Sequence, residues 1–147
     1  MPTAPHDTEY YLETARELAT RVAANVDRIE AGRQLPTELA NEIADSGFFR
    51  LLVPRSLGGA ELDHPTFRKI LEIIAAADGS TAWCINQNNV FATDCVRIPE
   101  QTAKEIWGEK RAVVTNGPPT ASSKAVPVGG GYKLSGHWNF SSGSDHA

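Results

Sequence analysis

The chain has little of what marks a metal centre, a disulfide scaffold or a membrane protein. Its four histidines, at positions 6, 64, 137 and 146, share no metal-ligand spacing with one another or with the cysteines, so a zinc site is not expected. There are two cysteines, Cys84 and Cys95. On one helix they would lie about 16 Å apart, beyond disulfide reach. They read instead as small buried apolar groups in a reducing compartment. No apolar run approaches membrane-spanning length. The opening M-P-T-A-P-H-D-T-E has neither a basic start nor an apolar stretch, so no signal peptide is read and a cytoplasmic location is expected. Lys and Arg total 14 against 18 Asp and Glu, a net charge of −4, which argues against a nucleic-acid binder. No G-x-S-x-G elbow occurs. The run Gly131 to His137 has the glycine spacing of a P-loop, but it puts His137 where lysine is needed and lies between strands.

What is present is an ordinary globular composition, 41% hydrophobic and 22% charged. A length of 147 residues gives one sizeable domain, or one domain plus a fragment. The charge is uneven. Residues 1–110 carry 11 Lys/Arg against 17 Asp/Glu, and residues 111–147 carry 3 against 1. The mildly cationic C-terminal piece suits an anionic cofactor.

Helical periodicity dominates the first part. Asp7 or Thr8 can cap a helix whose inner face is Tyr11, Ala15, Leu18, Val22, Val26 and Ile29, with Gly32 as its stop. Leu35-Pro36 opens a second, with Leu39, Ile43 and Ala44 inward and Gly47 at its end. A short apolar run, Phe48 to Val53, leads into the loop Ser56 to Gly59. Asp63-His64-Pro65 starts a third helix with Phe67, Ile70, Leu71 and Ile74 as its stripe. Ser80 or Thr81 caps a fourth, running through Val96. Pro99 opens a fifth that ends near Trp107-Gly108.

The texture changes after residue 110. Ala112 to Thr115, Lys124 to Val128, Tyr132 to Ser135 and His137 to Ser141 read as four strands, with Gly129 to Gly131 as a hairpin loop and a bend at Gly136. The fold class is therefore α+β: an all-helical domain, residues 1–110, followed by the opening of an antiparallel β domain, residues 111–147. Four short strands make little two-sided core, and the last would leave an aromatic open edge. The β domain is therefore expected to be incomplete.

Several residues could carry chemistry. Asn86 to Asn89 read equally as a solvated helix face or, through Asn88 or Asn89, as a pocket lining. Trp83 reads as core packing. Asn116 is either a turn former or an amide at a strand end. Ser141 and Ser142 follow the aromatic strand of Trp138 and Phe140 and precede Gly143. They are either turn residues or hydroxyl donors to a ring system or an oxyanion.

These features in this order resemble the acyl-CoA dehydrogenase superfamily of flavoproteins. The residues concerned are Pro54, Gly58-Gly59, the run Ala77-Asp78-Gly79-Ser80-Thr81-Ala82-Trp83, Trp107-Gly108, and G-G-Y-K-L-S-G-H-W-N-F-S-S-G-S-D-H-A. The final stretch is most similar to the flavin-dependent monooxygenase branch, which includes hydroxyphenylacetate and steroid-phenol hydroxylase oxygenase components. The resemblance implies a helical domain, a central β-barrel and a C-terminal helical bundle in the full-length protein. It also implies FAD or FMN at the β domain, a flavin reductase partner and a homo-oligomer, dimer or tetramer. It assigns Asn116, Gly117, Trp138, Phe140, Ser141 and Ser142 to the cofactor, and Ser142 with Asn88 to catalysis. Asn88 and Asn89 stand where that branch can supply a histidine.

The implied activity is hydroxylation of an aromatic or polycyclic substrate by a C4a-hydroperoxyflavin, held in a dry hydrogen-bonding pocket. Two other readings stay open. One is an acyl-CoA dehydrogenase, which needs a carboxylate base. The other is a non-catalytic helical association module. Flavin binding by these 147 residues alone is expected to be weak or absent.

Overall fold

The computed structural model describes residues 7–146; His6 and Ala147 lie outside them. Among the described residues there are six α-helices and a two-stranded hairpin. Helix α1, Thr8–Ala23, starts where Asp7 accepts the Tyr10 amide at 2.9 Å, a side-chain cap on an otherwise orphan donor. Its buried stripe is Ala15, Leu18 and Val22. The expected continuous helix to Ile29 breaks at Ala24 and Asn25. The Asn25 amide donates to the Arg21 carbonyl at 2.9 Å, the local competition with the backbone typical of asparagine. The stripe nonetheless continues into α2, Val26–Gly32, where Ile29 is buried. The left-handed residue that ends α2 is Arg33, φ 53°, one past Gly32.

Helix α3, Thr37–Asp45, buries Leu39, Ala40, Ile43 and Ala44. The chain turns at Gly47, φ 80°, a conformation glycine adopts without steric cost. Residues 48–53 follow as a buried irregular segment. It is held by amides from the returning loop: Ala60 to the Arg50 carbonyl at 3.1 Å and Leu62 to that of Leu51 at 2.9 Å. Arg50 is only 5% exposed and, among the described residues, pairs with no carboxylate. Its guanidinium donates to the carbonyls of Glu109, Leu57 and Trp107, so it satisfies orphan carbonyls at the end of α6 and of the short turn Arg55–Leu57.

Helix α4, His64–Ala75, is capped by Asp63, which accepts from the Thr66 amide and hydroxyl at 2.8 and 2.9 Å. Helix α5, Gly79–Ala92, is capped by Asp78 rather than by Ser80 or Thr81. One Asp78 oxygen takes the Thr81 amide and the hydroxyls of Ser80 and Thr81, each at 2.6 Å. A carboxylate can accept several bonds at once, and a hydroxyl in its reach becomes a donor to it. The expected helix to Val96 stops at Ala92, and Thr93–Arg97 is a 3₁₀ turn. Helix α6, Glu100–Trp107, begins directly after Pro99. The main core gathers Leu18, Ile43, Phe48, Leu51, Ile70, Ile74 and Ile85 between α1, α3, α4 and α5. A smaller cluster packs Val53, Ala92, Cys95, Ala103 and Trp107.

The C-terminal piece is less regular than its sequence pattern suggests. Strands β1, Lys124–Val128, and β2, Gly131–Ser135, pair antiparallel with Val126 opposite Lys133. Gly129 and Gly130 form the turn, Gly130 at φ 87°. Ala112 to Thr115 forms no strand, because no neighbouring strand takes its backbone groups. His137 to Ser141 is not a strand either. Gly136 at φ 149° and Phe140 at φ 55° interrupt it, leaving one bridge, Trp138 to Pro119. Every residue of β1 and β2 is exposed. No helix among the described residues is long and apolar enough to cross a membrane.

Candidate functional site

Helix α5 has two working faces. One is buried through Thr81, Ala82, Ile85, Asn88, Asn89 and Ala92. The other presents Trp83, Gln87 and Phe91, spaced i, i+4, i+8 and so aligned along the axis. These three form one wall of a cleft of about 500 Å³. The opposite wall is Asn116, Gly117, Pro118 and Pro119 from the segment after α6, with Phe140 and Ser142 from the segment after β2.

Close backbone contact joins the two segments of that opposite wall. Gly117 is buried, and a Cβ there would lie 2.2 Å from the Asn139 carbonyl oxygen and 2.3 Å from the Ser141 Oγ. Only glycine allows this approach. The Asn139 amide reaches the Pro118 carbonyl at 3.3 Å. Phe140, in the left-handed region, stands 87% exposed. Ser142 is held on three sides. Its amide donates to the Phe140 carbonyl at 2.9 Å, its carbonyl accepts from the Thr115 hydroxyl at 2.9 Å, and its Oγ accepts from the Trp83 indole N–H at 3.2 Å. Gly143 follows at φ 82°, where a Cβ would lie 2.6 Å from the Asn88 amide nitrogen.

Thus four of the sequence-predicted residues, Asn116, Gly117, Phe140 and Ser142, meet at the cleft. Trp138 does not line it; it sits across the bridge from Pro119. Ser141 lies behind the wall, against Gly117. Asn88 does not reach the cleft, contrary to the pocket-lining expectation. It is fully buried beneath Gly143, with its amide nitrogen bonded to the Cys84 carbonyl at 2.7 Å and its Oδ1 without a partner among the described residues. Asn89 is neither solvated nor in the cleft. Its amide donates to the carbonyls of Phe48 at 2.7 Å and Ile85 at 2.9 Å, while its Oδ1 accepts the Leu52 amide at 3.1 Å. It stitches α5 to the irregular segment. Trp83, expected in the core, is 55% exposed, because its indole N–H is used at the cleft. Gln87, Phe91, Pro118 and Pro119 were not foreseen. The i, i+4, i+8 spacing of Trp83, Gln87 and Phe91 was the available signal.

No charged side chain lines the cleft. The nearby thiol of Cys84 is pushed up by burial, and further by the charges of Asp78 and Asp145, so it stays protonated at neutral pH. Burial works to raise the Asp78 carboxyl, but its hydrogen bonds from Ser80 and Thr81 outweigh this and hold it below the usual range. The cleft therefore offers aromatic faces, amides and one hydroxyl, with no acid or base of its own among the described residues. It is built to bind and orient.

The first 112 residues carry a family signature. Residues 5–112 match the acyl-CoA dehydrogenase N-terminal domain. The oxygenase subunit HsaA of a flavin-dependent monooxygenase from Mycobacterium tuberculosis is 30% identical over 141 residues, which cover 96% of this chain and 36% of that protein. The crystal structure of HsaA superposes with a TM-score of 0.85 at 30% identity, covering 97% of this chain and 39% of that one. The structure of XiaF from Streptomyces sp. in complex with FADH2 and glycerol gives 0.83 at 25% identity, over 92% of this chain and 34% of that one. The chain spans about a third of the length of these relatives. By its domain match and its shared fold, the chain belongs to the acyl-CoA dehydrogenase family.

Proposed function

We propose that this chain supplies the helical domain and one wall of the flavin site in the oxygenase component of a two-component flavin-dependent monooxygenase. Its substrate would be an aromatic or polycyclic small molecule. In this reading residues 1–110 are the helical domain and residues 111–147 open the central β domain. A flavin reductase delivers reduced FAD or FMN, the full-length protein is a homo-oligomer, and the location is cytoplasmic. The free thiols of Cys84 and Cys95 accord with a reducing compartment. The relatives named above, an oxygenase subunit and a FADH2 complex, support the reading.

The observation that carries it is the cleft between α5 and the two joined segments. Its lining fits a planar heteroaromatic ring. Exposed rings at Trp83 and Phe140 offer stacking surfaces, Asn116 and Ser142 offer edge hydrogen bonds, and Gly117 leaves room where a side chain would collide. Reduced flavin bound there supplies the electrons that activate oxygen. The chain's own residues bind and orient. Phe140 and Trp83 cover the ring and exclude water from it. Ser142 holds a hydrogen bond at the ring edge and is the residue assigned to catalysis. Ser141 and Trp138 hold the wall from behind. Asn88 acts from below as a positioning residue, through its contact with Gly143.

Anaerobic calorimetric titration with reduced FAD and FMN tests this. Saturable binding that Ser142→Ala diminishes supports the reading, and saturable binding that Ser142→Ala leaves unchanged overturns it. Loss of colour from bound oxidised flavin on adding an acyl-CoA thioester would assign the dehydrogenase instead.

A further inference from the structure

The Trp83–Ser142 bond has a consequence for the direction of the Ser142 hydroxyl. An indole N–H can only donate, and a serine hydroxyl has one proton and two lone pairs. Because Trp83 donates to the Ser142 Oγ at 3.2 Å, the serine's own proton cannot be spent on Trp83. The Ser142 amide and carbonyl are already engaged with Phe140 and Thr115. Among the described residues no protein acceptor takes the hydroxyl proton, and Ser142 borders the cleft. Accepting one bond also polarises the hydroxyl and strengthens its donation.

We propose that Trp83 is a positioning residue that fixes Ser142 as a hydrogen-bond donor aimed into the cleft, so that the ligand must bring a lone pair to this point. The inference rests on the flavin reading for the identity of that ligand, but not for the geometry. Trp83 combines two roles that a phenylalanine would separate. Its ring face lines the cleft, and its N–H sets the serine.

The test uses the whole chain and two independent readouts. In 15N-labelled protein the three tryptophans give three indole N–H resonances, and Trp83→Phe identifies one by its loss. Ser142→Ala should move that resonance upfield, and Ser142→Thr, which keeps the hydroxyl, should restore it. An unmoved resonance in Ser142→Ala overturns the inference. Circular dichroism confirms that each variant keeps its helices. The second readout is reduced-flavin affinity. Trp83→Phe should weaken it about two- to tenfold, the worth of one hydrogen bond. Trp83→Phe added to Ser142→Ala should cause no further loss, because the indole acts through the serine. A full additive loss in the double variant overturns the positioning role and leaves Trp83 as a ring wall only. If the unsubstituted chain binds no flavin, as an incomplete pocket allows, the indole resonance alone still decides for or against Trp83.

Discussion

Replacing Asn89 with alanine should be one of the most damaging single changes in the helical domain, although the residue looks polar and dispensable in the sequence. Its side chain is fully buried. It makes three hydrogen bonds, to the Phe48 carbonyl, the Ile85 carbonyl and the Leu52 amide. Phe48 is itself fully buried and central to the core. Asn89→Ala leaves the Phe48 carbonyl and the Leu52 amide without their partner. An orphaned buried polar group costs about 1–3 kcal/mol, so the expected loss for two is about 2–6 kcal/mol, a large share of the stability of a domain this size. With a urea slope of about 2 kcal/mol per M, the midpoint should fall by about 1–3 M at unchanged slope.

Urea unfolding followed by far-ultraviolet circular dichroism measures this directly. Asn89→Asp adds a diagnostic of mechanism. An ionised aspartate accepts but cannot donate, so it keeps the Leu52 bond and loses both carbonyl bonds. Burial raises its pKa above the unfolded value. The stability lost at pH 7 should therefore return in part as the pH falls through that raised pKa. A midpoint for Asn89→Ala within about 0.3 M of the parent would refute the stitching role and return Asn89 to the solvated-face reading.

Two further outcomes follow from the same geometry. Gly117→Ala should weaken flavin binding by more than tenfold in calorimetry while moving the urea midpoint little, because the added Cβ collides with Asn139 and Ser141 across the cleft wall and not with the core. A variant that binds as the parent does would contradict the close-approach argument. At the α5 cap, burial opposes ionisation of Asp78 but the Ser80 and Thr81 bonds prevail, so the folded pKa lies below the unfolded one. Its stabilisation is thus present above the unfolded value of about 4 and is lost as the pH falls through the folded value. Asp78→Ala should lower stability at pH 7 by about 1 kcal/mol, and Asp78→Asn, a good neutral cap, should flatten the acid limb of the stability profile.

The helical part was legible because it rests on local rules. The spacing of Ala15, Leu18 and Val22, the acidic caps Asp7 and Asp63, and the stop at Gly47 are each set by residues three or four apart, and the structure has them. The misreadings also had local causes. Asn25 broke α1 by bonding one turn back, and Asp78 outcompeted two hydroxyls for the α5 cap. Strands depend on partners, which local pattern cannot supply. Residues 112–115 are mostly β-branched and residues 137–141 alternate as strands do, yet they lack the neighbours that would make them so.

The site divides the same way. The sequence, through the family resemblance it carries, singled out Asn116, Gly117, Phe140 and Ser142, which line the cleft, and equally Trp138, Ser141 and Asn88, which do not. Which side of α5 faces the cleft was decided only by the tertiary structure. In sequence, Trp83, Asn88 and Asn89 are interchangeable candidates within seven residues of one another. Their fates follow from rotation about the helix axis, about 100° per residue, combined with contacts made from 37 to 59 residues away. Trp83 is turned out to Ser142, Asn89 is turned in to Phe48 and Leu52, and Asn88 is buried against Gly143, since only folding brings residues 48–52 and residues 142–143 to that helix.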